Sequence, residues 1–281
     1  MKIKVISLVT ALCLLFPKSN FAQVPNLGAA SSFALFTGVG AFTNTGISSI
    51  PGDVGTNAGA YTSSPNVDGQ IHIVDVLSNQ AAIDLNAAYG NMGGLTCGSV
   101  IGVTLGGNQT LIPNIYCIGA ASTLTGNLTL DGQGNSNAIF IFKVDGALAT
   151  STFSNVMLVN GANLRNVYWQ INGAFTLGDA SVFRGNILVN GAITLNTNST
   201  FYGRALSKTG AININASKVI YYDGALWNGS INTDFAVANN WVTGSVPTSG
   251  EHIGFVLAPT NHCALDSSRL VGNISHSLAS R

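Results

Sequence analysis

Residues Gly173-Ala174-Phe175-Thr176-Leu177 form a five-residue phrase that recurs along the second half of the chain. Its other copies lie at 146–150, 191–195 and 210–214. The copies that begin at 173, 191 and 210 are 18 and 19 residues apart, and each follows a short β-type run. A fixed period of this length is typical of a solenoid, in which each repeat forms one coil and neighbouring coils bury what one coil cannot.

One segment has a helical period instead. Between His72 and Tyr89, apolar residues recur at three- and four-residue steps, with polar residues between them. The recurring residues are Val74, Leu77, Ala81, Leu85 and Ala88. This pattern predicts one amphipathic helix, ended by the glycines at 90, 93 and 94. Its apolar stripe requires a partner surface, and one side of the solenoid is the expected partner.

Residues 1–22 have the pattern of a secretory signal peptide. A short basic segment at 1–4 precedes an apolar run at 5–16, and Ala22 places a small residue before Gln23. An apolar run of about 12 residues is too short to span a bilayer as a helix. We therefore expect cleavage after Ala22 and a secreted protein without membrane insertion.

Charged side chains are rare in this chain. They make up 8% of the residues, against roughly 25% in an average soluble domain. Removal of Lys2, Lys4 and Lys18 with the signal peptide leaves 8 basic and 11 acidic side chains, a formal charge of −3. No basic patch is present, so nucleic acid is not an expected partner. The surface is instead expected to consist of Asn, Thr, Ser, Gly and Ala.

The mature chain would retain three cysteines. Cys97 and Cys117 flank one Gly-rich segment, and an oxidising compartment favours a disulfide between them. Two unpaired thiols are the alternative. Cys263 lies outside the repeat region and has no assigned partner.

The repeat pattern stops near residue 222. Residues 223–281, which include Trp227 and Trp241, fit neither the coil spacing nor the repeated phrase. We therefore divide the chain into a β-helix domain at 23–222 and a partial β-rich C-terminal module at 223–281. Such a module has the character of the start of a longer unit, so further domains after residue 281 are expected.

Sequence patterns for catalysis or metal binding are missing. No Gly-x-Ser-x-Gly elbow or phosphate-binding loop occurs. None of the four histidines has metal-ligand spacing; they are His72, His252, His262 and His276. Asp131, Asp145 and Asp179 occupy unlike positions of the repeat, which argues against a carboxylate pair across one groove. We predict a protein that is not an enzyme and has no cofactor or metal site; a polysaccharide-cleaving β-helix is the enzymatic alternative.

Small polar residues recur in the strip that follows each phrase. The aligned segments lie at 125–128, 150–153, 179–182, 197–200 and 215–218. In coils stacked about 4.8 Å apart, they would form a ladder of hydroxyl, amide and methyl groups. Thr, Ser and Asn are also common at β-edges and turns, so a purely structural role is the alternative.

A series of phrases resembles, in order, the secreted microbial ice-binding (antifreeze) proteins. The first is Leu-Gly-Ala-Ala-Ser-Ser-Phe-Ala-Leu at 27–35, and the others lie at 51–55, 128–132, 138–142, 166–170, 186–188 and 203–206. The likeness covers roughly residues 26–220. It implies a discontinuous right-handed parallel β-helix of triangular cross-section, flanked by one long helix, that binds ice through a flat face.

We therefore predict a mostly β fold, a right-handed parallel β-helix with one long flanking α-helix and a short incomplete β-rich tail. The expected function is adsorption to ice, which inhibits ice growth or recrystallisation. The expected state is a monomer whose partner is the ice surface. A cell-surface adhesin, in which the β-helix is a structural spacer, is the alternative.

The ice-contact residues are predicted from the recurrent strip. Some members of the family carry a Thr-Ala/Gly-x-Thr/Asn motif on the ice-binding face, and residues 197–200 are similar to it. The predicted ice-binding residues are Thr125, Asn127, Thr150, Thr152, Asp179, Ser181, Thr197, Asn198, Thr200, Asn215 and Ser217.

Overall fold

The computed structural model describes residues 23–63, 67, 69–221, 225–241, 246–247, 253–255, 259–264 and 274–276. The predicted signal peptide lies outside the described residues. A short 3-10 helix, Gly28–Ser32, opens the fold. Five strands follow it: β1 (Phe33–Thr37), β2 (Phe42–Thr45), β3 (Asp53–Thr56), β4 (Tyr61–Ser63) and β5 (Ile71–Ile73).

One long α-helix, α1 (Val76–Gly93), comes next. The Asp75 side chain accepts a hydrogen bond from the Ser78 backbone N–H at 2.7 Å, and the Ser78 Oγ accepts one from the Asp75 N–H at 2.8 Å. This capping box satisfies amides that a helix start leaves unpaired. The predicted helix is confirmed, but it begins four residues later than His72. Val74 adopts a left-handed φ of 50°, which separates β5 from the helix.

The second group of strands follows the helix. These strands are β6 (Ser99–Val100), β7 (Thr104–Gly106), β8 (Gln109–Leu111), β9 (Asn114–Ile118), β10 (Ser122–Thr125), β11 (Asn127–Asp131), β12 (Phe140–Val144), β13 (Leu148–Thr150), β14 (Asn155–Val159), β15 (Val167–Ile171), β16 (Phe175–Leu177), β17 (Val182–Arg184), β18 (Asn186–Val189), β19 (Ile193–Leu195), β20 (Thr200–Tyr202), β21 (Ala205–Ser207), β22 (Ile212–Asn215) and β23 (Lys218–Ile220). Two further 3-10 helices are Leu164–Asn166 and Ala238–Asn240.

These strands form three parallel sheets, which are the three sides of a β-helix. Sheet A has the order β5-β3-β1-β21-β18-β15-β12-β9-β6, sheet B the order β4-β2-β22-β19-β16-β13-β10-β7, and sheet C the order β23-β20-β17-β14-β11-β8. Each coil from β6 onward gives one strand to each sheet in turn. The predicted β-helix is therefore confirmed.

The order of the coils in the stack differs from their order in the chain. Leu35 of β1 lies beside Ala205 of β21, and Phe42 of β2 lies beside Ile212 of β22. The N-terminal strands thus stack on the last coil. Helix α1 contacts both β5 and β15 along sheet A, and the chain then starts the next coil at the opposite end of the stack.

Two apolar layers stabilise this arrangement. The inside of the β-helix holds a file of rings in which Phe142 stacks on Trp169 at 3.8 Å between ring centroids, and Phe183 stacks on Phe201 at 5.9 Å. The second layer joins the outer face of sheet A to α1; it contains Phe33, Phe36, Ala81, Leu85, Ala88, Met92, Ile141, Tyr168, Leu188 and Leu206. Each large side chain buried in this way contributes roughly 1.5–3 kcal/mol. Sheet A is consequently buried on both faces.

The glycine of the repeated phrase lies where one coil passes close to the next. A Cβ on Gly210 would lie 2.1 Å from the Ala192 nitrogen, and a Cβ on Gly173 would lie 2.5 Å from the Ala147 nitrogen. No side chain fits at such distances, so close stacking of the A/B corners requires glycine.

The predicted disulfide between Cys97 and Cys117 is present, with 5.8 Å between the two Cα atoms. It ties the segment before β6 to β9, at one end of the stack. Cys263 is half-buried and packs against the apolar cluster of the C-terminal module.

The C-terminal module is β-rich in its described part. Three parallel strands, β24 (Ala225–Trp227), β25 (Ile253–Phe255) and β26 (Ile274–His276), form a separate sheet. Trp227, Phe235, Trp241 and Ile253 form its buried cluster. In the described part of the chain, no helix is both long and apolar enough to cross a membrane.

Candidate functional site

Sheet B is the side of the β-helix with the most regular outward surface. Its strands alternate strictly: in β10, Ser122 and Leu124 are buried while Thr123 and Thr125 are exposed. In β22, Ile212 and Ile214 are likewise buried between exposed asparagines. Because successive side chains of a strand point to opposite faces, the outward residues of neighbouring strands fall into columns across the sheet.

The first column consists of alanine. The first buried residue of each strand donates its backbone N–H to the carbonyl of the alanine in the adjacent coil, as in Phe175 to Ala192 at 2.8 Å and Leu148 to Ala174 at 2.9 Å. The column contains Ala60, Ala41, Ala211, Ala192, Ala174, Ala147 and Ala121. Seven neighbouring coils therefore present a methyl group at the same height.

The second column consists mostly of threonine. Strand register aligns Thr176 with Thr194 on one side and with Ala149 on the other. The full column is Thr62, Thr43, Asn213, Thr194, Thr176, Ala149, Thr123 and Thr104. Threonine is β-branched and has few rotamers, so each hydroxyl and methyl is held in a defined position.

The third column lies at the end of each strand, beside the B/C corner. The hydroxyl groups of Thr125 and Ser151 form a hydrogen bond, with 2.9 Å between the two oxygen atoms. The column contains Thr45, Asn215, Asn196, Gly178, Ser151, Thr125 and Gly106. No member of the three columns is charged or larger than asparagine.

The three columns together form a flat, uncharged surface. With strands about 4.8 Å apart, eight strands extend it over roughly 34 Å, and outward residues along one strand are about 6.6 Å apart. Phe175, Ile193 and Ile212, which lie directly beneath it, are fully buried. The surface is therefore a rigid two-dimensional array of methyl, hydroxyl and amide groups, with no cleft and no ionisable group.

Sheet C presents a different surface. Its outward residues include Arg184, Tyr202 and Lys218, and the Arg184 guanidinium lies 4.8 Å from the centre of the Tyr202 ring. Burial lowers the pKa of Arg184, although the guanidinium donates hydrogen bonds to Asn155 and Val156. Large side chains and charges make this side uneven.

Part of sheet C is also covered by the C-terminal module. A cavity between the two is lined by Asn155, Met157, Leu158 and Arg184 from the β-helix and by Asn228, Ser230, Asn239 and Trp241 from the module. Of the three sides, sheet A is covered by the helix and sheet C is partly occupied, whereas the described residues leave sheet B open.

The structure divides the predicted ice-binding residues into four groups. Thr125 and Asn215 belong to the third column of sheet B. Thr152, Asp179, Thr197 and Asn198 lie in the turns of the B/C corner, and Asn127 and Thr200 begin strands of sheet C. The buried residues of the set are Thr150, Ser181 and Ser217, which are at most 7% exposed.

The buried members have internal hydrogen-bond partners. The Thr150 Oγ1 accepts a hydrogen bond from the Gly178 N–H, and the Ser181 Oγ donates to the Ser151 carbonyl at 2.7 Å. The residues that sequence reasoning passed over are the alanines and threonines inside the repeated phrase. The signal for them was present: Phe175 and Leu177 must face the core, which places Ala174 and Thr176 outward.

The described residues contain no group of three His, Cys, Asp or Glu side chains that could hold a metal ion. Asp145 lies at the A/B corner, where it accepts a hydrogen bond from Asn172 at 3.0 Å. Asp179 lies at the B/C corner, so these carboxylates do not share a groove.

A family model described as Ice-binding-like matches residues 36–220, about two thirds of the chain. The chain belongs to the ice-binding-like family. The match ends at the last strand of sheet C, so the β-helix carries the family likeness. The predicted domain boundary near residue 222 remains a prediction.

Individual relatives agree with this assignment. An ice-binding protein of Nostoc sp. is 35% identical over 207 residues, which cover 72% of this chain and 76% of the relative. The crystal structure of an ice-binding protein from the ascomycete Antarctomyces psychrotrophicus has 32% identity and a TM-score of 0.65, and covers 70% of this chain and 97% of that one.

One solved structure extends further along the chain. The ice-binding protein of an Antarctic Flavobacteriaceae bacterium has 35% identity and a TM-score of 0.70, and covers 91% of this chain and 62% of that one. Residues 1–222 make up only about 79% of this chain. The alignment therefore includes part of residues 223–281, so this family member shares at least some of the C-terminal module.

Proposed function

We propose that this chain is a secreted ice-binding protein whose contact surface is the outward face of sheet B. The observation that carries the proposal is the alignment of small, uncharged residues in three columns, one of eight members and two of seven. Family membership supports it, because the relatives described above are named ice-binding proteins. The signal-peptide pattern of residues 1–22 supports export.

The chemistry of the surface is suited to ordered water. Alanine and threonine methyl groups leave few ways for water to hydrate the surface irregularly, while hydroxyl and amide groups hold water at regular positions. Threonine loses little side-chain entropy when its hydroxyl engages. A water layer held in this way merges with the crystal, and the adsorbed protein then hinders further growth.

The contact surface overlaps only in part with the predicted strip. Thr125 and Asn215 belong to it, and Thr152, Asp179, Thr197 and Asn198 flank it along the B/C corner. Asn127 and Thr200 belong to sheet C. The buried Thr150, Ser181 and Ser217 are left out of the contact surface, since their oxygen atoms face backbone groups inside the stack.

Two other functions make different demands on this surface. A polysaccharide-cleaving β-helix requires paired carboxylates in a groove, and sheet B offers neither. A structural spacer in an adhesin needs a stable stack but no uniform outward columns. The regularity of all three columns favours a ligand that is itself a regular lattice.

The decisive experiment is a substitution at the centre of the surface. Thr176→Tyr places a ring above the plane, so we expect loss of most thermal hysteresis and of ice-crystal shaping, with little change in melting temperature because the site faces outward. Thr200→Tyr on sheet C is the matched control and should retain both activities. Normal hysteresis in Thr176→Tyr would contradict the proposed surface. An inactive wild-type protein with an intact fold would contradict ice binding itself.

A further inference from the structure

The B/C corner contains buried serines that the contact surface does not use. They occupy one position in five neighbouring coils, and each is at most 3% exposed. In stack order these residues, the interior ladder, are Ser48, Ser217, Ser199, Ser181 and Ser154. A buried hydroxyl is unfavourable unless it is hydrogen-bonded, so the partners of the ladder indicate its role.

Three of the five hydroxyls contact backbone carbonyls at the ends of sheet B strands in the adjacent coil. The Ser217 Oγ lies 2.6 Å from the Asn196 carbonyl oxygen and 3.1 Å from that of Leu195. The Ser181 Oγ donates to the Ser151 carbonyl at 2.7 Å. The Ser154 Oγ donates to the Leu124 carbonyl at 3.1 Å. Asn196 and Ser151 are members of the third column.

The regular backbone ladder of sheet B ends at this position. The Asn196 N–H donates to the Leu177 carbonyl at 3.0 Å, and two residues later Asn198 adopts a left-handed φ of 60° as the chain turns toward sheet C. Past Asn196 the neighbouring coils are joined by single turn hydrogen bonds, from the Ala180 N–H to the Thr197 carbonyl and from the Asn198 N–H to the Ala216 carbonyl, both at 3.0 Å. The hydroxyls of Ser154, Ser181 and Ser217 add further links between neighbouring coils from inside the stack.

We propose that three members of the interior ladder, Ser154, Ser181 and Ser217, are positioning residues, which hold the third column in the plane of the Ala and Thr columns and are thereby required for full ice affinity. This inference rests on the proposed function of sheet B. It also assigns a role to Ser181 and Ser217, whose recurrence in the sequence resembles that of a contact strip.

Ser217→Ala is the primary test, with thermal hysteresis and melting temperature measured on the same preparation. Loss of the hydroxyl leaves the Asn196 carbonyl without that donor, so we expect hysteresis to fall although the protein remains folded in the cold. Ser199→Ala is the matched control, because the Ser199 Oγ donates to the Ser217 Oγ at 3.1 Å and not to a strand-end carbonyl. Its hysteresis should stay nearer to that of the wild type.

A second control separates positioning from stability. Val189 is fully buried at the end of β18 in sheet A and belongs to none of the three columns. Val189→Ala should lower the melting temperature at least as much as Ser217→Ala and should leave hysteresis in the cold unchanged. A merely structural role for Ser217 predicts that the two variants behave alike, so equal hysteresis in both would overturn the inference.

Amide exchange at Asn196 provides a direct structural readout. Its N–H should exchange faster in Ser217→Ala than in Ser199→Ala, because the strand end frays when the carbonyl link is lost. Unchanged protection would also overturn the inference. If Thr176→Tyr abolishes hysteresis while Ser217→Ala does not change it, the contact surface stands and the ladder role falls. If Thr176→Tyr retains hysteresis, the proposed function of sheet B fails first.

Discussion

Sheets B and C are built from the same coils, with the same spacing and the same alternation, yet their outward surfaces differ. In the coil formed by β18, β19 and β20, sheet B presents Ala192 and Thr194 whereas sheet C presents Thr200 and Tyr202. Sheet B keeps small uncharged residues in both neighbouring coils, with Thr176 on one side of Thr194 and Asn213 on the other. Sheet C does not, since Arg184 and Lys218 occupy positions in line with Tyr202 and Thr200. The comparison shows that the fold supplies periodicity, while side-chain uniformity must be supplied separately.

The largest loss of hysteresis is expected when an alanine of the first column is replaced by a larger residue. Ala192→Leu places a branched side chain above the plane of sheet B, so we expect severe loss of hysteresis with a near-normal melting temperature. Thr200→Leu, in the same coil but on sheet C, is the matched control and should remain active. Equal activity of the two variants would remove the distinction between the sheets.

A smaller effect, on stability alone, is expected from reduction of the Cys97–Cys117 disulfide. The two residues are 20 positions apart, and closure of such a loop contributes about 3 kcal/mol on the chain-entropy model. Reduction should lower the melting temperature by roughly 6–12 °C. Most of the hysteresis should persist in the cold, because the bond ties the end of the stack. An unchanged melting temperature after complete reduction would contradict this prediction.

A still smaller effect is expected from acid, which should lower the stability of the start of the helix without changing the surface of sheet B. The hydrogen bond from the Ser78 backbone amide, followed by that with His72, lowers the pKa of Asp75 below its ordinary value of 3.8. A lowered folded-state pKa stabilises the fold above the ordinary pKa, and this contribution is lost as pH falls through the folded value. Melting temperature should therefore decline in acid, whereas hysteresis of folded protein should not follow it, since sheet B carries no ionisable outward group. The Asp75→Asn variant should show a weaker decline, and an equal decline would exclude Asp75 as its source.

The smallest effect is expected from removal of the C-terminal module. A chain of residues 24–222 should retain full hysteresis, because the module lies against sheet C and the family match ends at residue 220. Its melting temperature should fall slightly as Met157 and Leu158 become more exposed. A folded 24–222 chain that no longer shapes ice would mean that the module takes part in binding.

The sequence predicted the β-helix, the flanking helix and the disulfide because each leaves a local signal. The glycines of the repeated phrase mark the coil period, because close stacking of the coils requires glycine at positions such as Gly210. Helix α1 shows in the spacing of Ala81, Leu85 and Ala88. The Cys97–Cys117 pair follows from composition and the expected compartment.

The proposed contact surface was harder to predict, because alanine occurs both in cores and on surfaces and its recurrence alone does not mark an outward position. Ser181 and Ser217 are predicted contact residues because they are small polar residues in a regular strip. Their hydroxyls instead donate to backbone carbonyls inside the stack. Ala174, which is part of the repeated phrase, was passed over. The stacking of β1 on β21 could not be predicted at all, since nothing local to either strand records a partner so distant in the chain.

That non-sequential stacking also decides how the molecule must fold. The Thr37 Oγ1 donates to the Gly210 carbonyl across a separation of 173 residues, and β1 pairs with β21 while β2 pairs with β22. Parallel pairings of such high contact order form slowly, because the entropy of closing a long loop is lost before the stabilising contacts can form. Because a chain is synthesised from its N-terminus, Thr43 and Thr62 are present long before Asn213 arrives beside them. The proposed contact surface is thus completed by the last coil, in one late step that joins the two ends of the domain.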